Sequence, residues 1–178
     1  MFHNPSQQSQ ERVLHVIQGS HTVSDDATVV LTTILGSCVA ACLWDPVAGV
    51  GGMNHFLLAN RPEEGGAGYR YGSHAMELLI NDLLKKGAVR TRLRAKLFGG
   101  AMMQSSFGKI GRENADFALR FVRDEGFALE SQSLLGTQAR RIRFVPTTGT
   151  AQQRLVSETD VPAVRSPVVP VPDDITFF

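Results

Sequence analysis

What this sequence has little of narrows the field before any motif is read. No apolar run approaches the roughly 20 residues that a membrane-spanning helix needs. The opening residues, Met1 to Arg12, are polar and carry no apolar signal segment, so the expectation is a cytoplasmic protein without membrane insertion. Excess charge is also lacking: 18 Lys+Arg against 17 Asp+Glu leave a formal +1. There is no broad basic field to hold a nucleic-acid backbone, and nucleic acid is not an expected partner. Cysteine is scarce, with only Cys38 and Cys42, which excludes a disulfide-stapled secreted scaffold and leaves two reduced thiols. No Cys-x-x-Cys pair or histidine cluster offers a metal its ligands, so no metal is expected. Gly99, Gly100 and Ala101 lack the Gly-Lys-Ser/Thr of a phosphate loop, so nucleotide binding is not supported either.

What remains is enough for one core. The chain has 178 residues, of which 43% are hydrophobic, a length and composition that suit a single domain. Residues 1–10 (MFHNPSQQSQ) lack periodicity and read as a flexible arm. Residues 157–178 hold Pro162, Pro167, Pro170 and Pro172 and read as a flexible Pro-rich tail. The domain is therefore expected over 11–156.

Short β-branched or apolar runs bounded by turn residues predict strands over Val29–Ile34, Val39–Trp44, Val50–Leu58, Leu93–Phe98, Phe127–Leu134 and Ile142–Val145. Helical spacing of Met76, Leu79, Ile80, Leu83 and Leu84 predicts a helix over Ser73–Lys86, with Ser73 as its cap and Gly87 as its stop. A second helix is predicted from about Arg112 to Glu125, stopped by Gly126. The stretch GGAGYRYG, Gly65 to Gly72, reads as a loop. Strands first, then helices alternating with strands, make an α+β layered domain with a mixed sheet.

Thr32 to Leu58, TTILGSCVAACLWDPVAGVGGMNHFLL, is the segment that carries chemistry. Two strand-like runs flank a turn-forming DPVAG. If Asp45 to Ala48 form the connection, paired positions sum to 93 and Cys38 faces His55, close enough for an imidazole to take up the thiol proton. A neighbouring imidazolium would also lower the thiol pKa from its usual value near 8.5. A five-residue loop, or a bulge at Gly51 and Gly52, would change that register. Taken alone, a cysteine in an apolar strand is more commonly a small packing group, and so Cys42 is read. The pairing with His55 is what lifts Cys38 above that base rate. Gly36 and Ser37, just before the cysteine, permit close backbone approach and could offer N–H groups to an oxyanion. Together with Asn54 they are the candidate oxyanion- and substrate-binding positions.

LGSCVAACLWDPVAGVGGMNHFLL closely resembles the signature of the CheD family, the chemoreceptor glutamine deamidases of chemotaxis. The likeness continues through YGSHAMELLINDLLKKGA, AKLFGGAMM and IGRENA. The resemblance implies a protein-glutamine deamidase that needs no cofactor and acts on the cytoplasmic helices of chemotaxis receptors, with methylesterase activity in some members. It implies Cys38 as nucleophile, His55 as its acid-base partner and Thr32, six positions before the cysteine, as the residue supporting the histidine; Thr33 is adjacent and easily confused with it. It also implies a three-layer α/β/β sandwich with the helices on one side, and in some organisms the phosphatase CheC as a binding partner. A non-catalytic adaptor that binds receptor or CheC through the same surface is the alternative.

Overall fold

The computed structural model describes residues 10–58, 67–103 and 108–156. The expected arm and tail lie outside these residues, except for Gln10. Among these residues nine strands and two α-helices follow in the order β1 (Arg12–His15), β2 (His21–Ser24), β3 (Val29–Leu35), β4 (Val39–Asp45), β5 (Val50–Asn54), α1 (Ala67–Lys85), β6 (Arg94–Gly99), α2 (Gly108–Asp124), β7 (Ala128–Leu134), β8 (Ala139–Val145) and β9 (Thr150–Val156). They form two sheets, one ordered β1-β3-β8-β9 and the other β2-β5-β4-β6-β7. The β1/β3 and β6/β7 pairs are parallel and the rest antiparallel, so both sheets are mixed.

Side-chain alternation along β4 shows how the layers stack. Val39, Ala41 and Leu43 face the helices, beside Met76, Leu79, Ile80 and Leu83 of α1 and Ala118 and Val122 of α2. Ala40, Cys42 and Trp44 face the other sheet, beside Leu31, Leu35, Ile142 and Phe144. The order is helices, five-stranded sheet, four-stranded sheet, the α/β/β sandwich expected. β4 is buried on both faces, which is why it reads as a continuous apolar run. No helix among the described residues is long and apolar enough to cross a membrane.

Both helices stop where the glycines predict, at Gly87 (φ +98°) and Gly126 (φ +72°), but α1 starts six residues before Ser73. Residues 67–72 of the expected loop are its first turns, and Ser73 caps nothing. Gly72 is a site of close packing rather than a breaker: a Cβ there would lie 2.6 Å from Leu58 Cδ2 and 2.7 Å from Phe117 Cζ.

The β4–β5 register also departs from expectation. Asp45 pairs with Val50 and Cys42 with Met53, so paired positions sum to 95, and Pro46 to Gly49 form the connection. Asp45 dictates this. Its Oδ1 accepts the N–H groups of Val47 (2.9 Å) and Ala48 (3.1 Å), and its carbonyl accepts Gly49 N–H (3.0 Å), which closes the turn one residue later. Because the sum moves by two, every side chain keeps its predicted face.

The chain crosses between sheets three times at one end of the sandwich: between β1 and β2, between β3 and β4, and between β7 and β8. The segments leaving β5 and β6 emerge at the same end. Main-chain bonds tie them together, from Ala101 N–H to the Gly36 carbonyl (2.8 Å), Met102 N–H to Gly136 (2.8 Å) and Gly19 N–H to His55 (2.7 Å).

Candidate active site

Cys38 and His55 both lie at this end. Val39 and Phe56 exchange main-chain hydrogen bonds (Val39 N–H to Phe56 carbonyl 3.0 Å, the reverse 2.9 Å). One residue back on each strand, Cys38 and His55 are therefore diagonal neighbours, not directly opposed as the sum of 93 predicts. Diagonal positions lie roughly 7–8 Å apart, within reach for a ring side chain on the same face. That face is the layer between the sheets, where Cys38 packs partly against the core.

The cysteine loop is held by its carbonyls. Gly36, Ser37 and Cys38 accept in turn from Ala101 N–H (2.8 Å), Asn114 Nδ2 (2.8 Å) and Gly100 N–H (2.8 Å). Gly99 must be glycine for this approach: its φ is +112°, and a Cβ would stand 2.1 Å from the Cys38 carbonyl oxygen. The N–H groups of Ser37 and Cys38 form no hydrogen bond to another described residue. Asn114, fully buried on α2, also accepts Leu58 N–H (2.8 Å) through Oδ1, so one amide ties the cysteine loop to the segment following His55. The sequence placed it only within the IGRENA stretch of the family resemblance and gave it no role, since an asparagine amid the polar residues of a helix start looks like a solvent-facing group.

The residue that orients the imidazole is Thr33. Its Oγ1 lies 2.9 Å from His55 Nδ1 and donates its one proton to the Val16 carbonyl (2.8 Å). The same carbonyl lies 3.4 Å from Nδ1. With the threonine proton committed and the carbonyl able only to accept, Nδ1 must carry the ring proton. Nε2 is then a bare lone pair, buried and without a hydrogen-bond partner among the described residues. Thr32, the expected supporting residue, is on the other face of β3 and donates to the Ile142 carbonyl (2.7 Å). Strand alternation decides between the two threonines: Leu31 and Leu35 face the inter-sheet layer, and of the pair only Thr33 shares their parity.

Asn54 is likewise not at the opening. It is 1% exposed and faces the helices, its Oδ1 accepting Ala41 N–H (3.0 Å) and its Nδ2 reaching the Ala75 carbonyl (3.4 Å). It is a buried bracket between β4 and α1. In its stand, the thiol meets a residue the sequence did not suggest. Cys38 Sγ–H donates to Gln18 Oε1 at 3.4 Å, from the connection between β1 and β2.

Burial disfavours the charged form of both groups. Burial pushes the Cys38 thiol up to about 11, opposed by its own main-chain N–H. Burial also holds His55 below the usual imidazole value, against the pull of the Val16 carbonyl. Desolvation penalises the charged form of each group and so works against the thiolate–imidazolium pair anticipated from the sequence. An imidazole with a bare Nε2 suits a general base that takes the thiol proton during attack.

The family model described as CheD chemotactic sensory transduction matches residues 57–155. A protein of Cereibacter sphaeroides is 53% identical over 173 residues, covering 96% of this chain and 87% of its own length. One from Rhizobium leguminosarum bv. trifolii is 51% identical over 179 residues, covering 94% and 96%. One from Acidiphilium cryptum is 55% identical over 157 residues, covering 86% and 82%. All three bear the name probable chemoreceptor glutamine deamidase. Among solved structures, a Bacillus licheniformis hypothetical protein, YfiH, is similar at 15% identity and a TM-score of 0.40, over 73% of this chain and 62% of that one, too loose a likeness to bear on the site.

Proposed function

The chain belongs to the CheD family, and from that premise we propose that it is a chemoreceptor glutamine deamidase working through a Cys38 thioester. The observation that carries the reading is the bare Nε2 of His55, its tautomer set by Thr33 and Val16, on the same face as a partly exposed thiol.

The chemistry runs in two halves. As a receptor glutamine side chain enters, His55 Nε2 takes the Cys38 proton and the sulfur adds to the carboxamide carbon, moving a C=O electron pair onto oxygen. The N–H groups of Ser37 and Cys38 are the main-chain donors nearest that oxygen, which gives Gly36 and Ser37 their role as the loop that presents them. The oxyanion collapses, Nε2 returns its proton to the departing nitrogen, and ammonia leaves a thioester. Water then gives a proton to Nε2 and its hydroxyl to the acyl carbon, releasing glutamate and restoring the thiol. Thr33 keeps the ring in one tautomer throughout. A glutamate methyl ester would follow the same course with methanol as leaving group, giving methylesterase activity. The substrate is the cytoplasmic helical region of a receptor, and a CheC phosphatase bound over the same opening would compete with it.

The test is incubation of the native chain with a receptor cytoplasmic fragment. Each modified glutamine gains about 1 Da as oxygen replaces NH, ammonia appears, and both are abolished in Cys38→Ala. A native chain that binds receptor and leaves its mass unchanged is an adaptor, and the deamidase reading falls.

A further inference from the structure

Gln18 lies on neither strand that carries the reacting pair, yet its carboxamide is what the Cys38 thiol touches, at 3.4 Å. Its place is set by His55. Before it in the chain, the Val16 carbonyl takes the Thr33 hydroxyl proton and faces His55 Nδ1. After it, Gly19 N–H donates to the His55 carbonyl (2.7 Å) and His55 N–H donates to the Ser20 carbonyl (3.0 Å). Ser20 closes the turn on the Ile17 carbonyl through both its N–H (3.0 Å) and its hydroxyl (2.7 Å). Gln18 is thus bracketed by bonds to the main chain and ring of the base while its side chain meets the nucleophile.

We propose that Gln18 is a catalytic residue of the deamidation, donating a side-chain N–H to the oxyanion that forms when Cys38 attacks. This rests on the thioester reading above. A carboxamide carries an acceptor and two donors on one carbon. At rest the acceptor holds the thiol proton. Once the sulfur has given that proton up, an acceptor facing it is repelled and a donor is favoured. The last side-chain torsion of glutamine is broad and roughly two-fold, so the exchange of Oε1 for Nε2 requires no main-chain movement. Gln18 itself makes and breaks no covalent bond. The sulfur adds to the substrate carbon, the C=O pair moves to oxygen, and the Gln18 N–H holds that charge until the C–N bond breaks.

Gln18 contains the very kind of bond this site would cleave. The contact, however, runs from the thiol to Oε1, so the sulfur meets the amide oxygen and not its carbon. The native chain should therefore retain glutamine at position 18.

Gln18→Met keeps the length of the side chain and removes its donors, and Gln18→Ala removes the contact altogether. Against the receptor fragment, both should lose about 10²–10³-fold in kcat with KM changed less than about three-fold. Alkylation of Cys38 by iodoacetamide displaces iodide without building an oxyanion, so its rate should change less than about five-fold in the same variants. Unchanged melting temperatures would show that both are folded. Equal losses in alkylation and deamidation would make Gln18 a support for the thiol and overturn the proposal, as would undiminished deamidation. A gain of about 1 Da at residue 18, present in the native chain and absent in Cys38→Ala, would make it a substrate instead, with the same consequence. A native chain that alkylates normally and leaves receptor untouched sinks the deamidase reading itself, an outcome distinct from a loss confined to the variants.

Discussion

The two ends of the β4–β5 hairpin bury polar side chains on opposite terms. At the turn, Asp45 is fully buried and every lone pair has an answer: the N–H groups of Val47 and Ala48, that of Val89 (2.9 Å), and the Arg92 guanidinium through Nε (2.9 Å) and Nη2 (2.8 Å). Burial alone would raise this carboxyl, but Arg92 and the three N–H groups outweigh it and hold it well below the usual range. At the open end, His55 is nearly as buried, at 7% exposed, and its Nε2 is answered by nothing among the described residues. A buried polar atom left unpaired costs about 1–3 kcal/mol. The fold satisfies polarity completely where it makes a turn and leaves Nε2 unanswered at the end where we propose the substrate enters.

The comparison can be broken by moving a mutation from one end to the other. The largest effect belongs to the open end: His55→Ala should cut kcat by about 10²–10⁴-fold while receptor binding holds. Matched losses in turnover and affinity would mean the site has simply collapsed.

Asp45→Ala should give the reverse pattern. It strands the partners of a buried carboxylate and should cost about 3 kcal/mol in urea unfolding, with turnover per folded molecule unchanged. The sign with pH follows from the depressed carboxyl. Its stabilisation is present above the unfolded carboxyl value near 3.9 and is lost as pH falls from there toward the depressed one, so the gap between native and variant should narrow below about pH 4. A gap that stays constant into acid would show that packing, not charge, holds the turn.

The smallest and sharpest contrast is between neighbours. Thr33→Val should slow deamidation about ten-fold by freeing the imidazole. Thr32→Val should leave the rate alone and cost about 1 kcal/mol for the lost bond to Ile142. Equal effects on rate would remove Thr33 from its role.

These contrasts also mark what could be read in the chain. The buried strands β3, β4 and β6 and the ends of both helices announce themselves, because apolar runs and glycine stops are local properties. β1 and β9 do not: they are edge strands with mostly exposed side chains, and Gln152, Gln153 and Arg154 carry no strand signal. β2 is equally short and half-buried. The face shared by Cys38 and His55 follows from alternation alone, whereas their register depended on where one aspartate closes a turn. Choosing Thr33 over Thr32 needed only the parity of β3. The contacts of Gln18 and Asn114 were invisible for a deeper reason, since each reaches across 20 residues or more to a partner that only the assembled sheets bring near.

The three crossings that meet at one end of the sandwich have a consequence for the life of the chain before it is finished. Thr33 stands in one sheet, Cys38 and His55 at the end of the other and Asn114 on a helix, so they meet only when those layers pack together. A ribosome-bound or half-folded molecule carries Cys38 as an ordinary thiol with no ring beside it. The proposed chemistry is thus tied to completion of the tertiary structure rather than to any one segment of it.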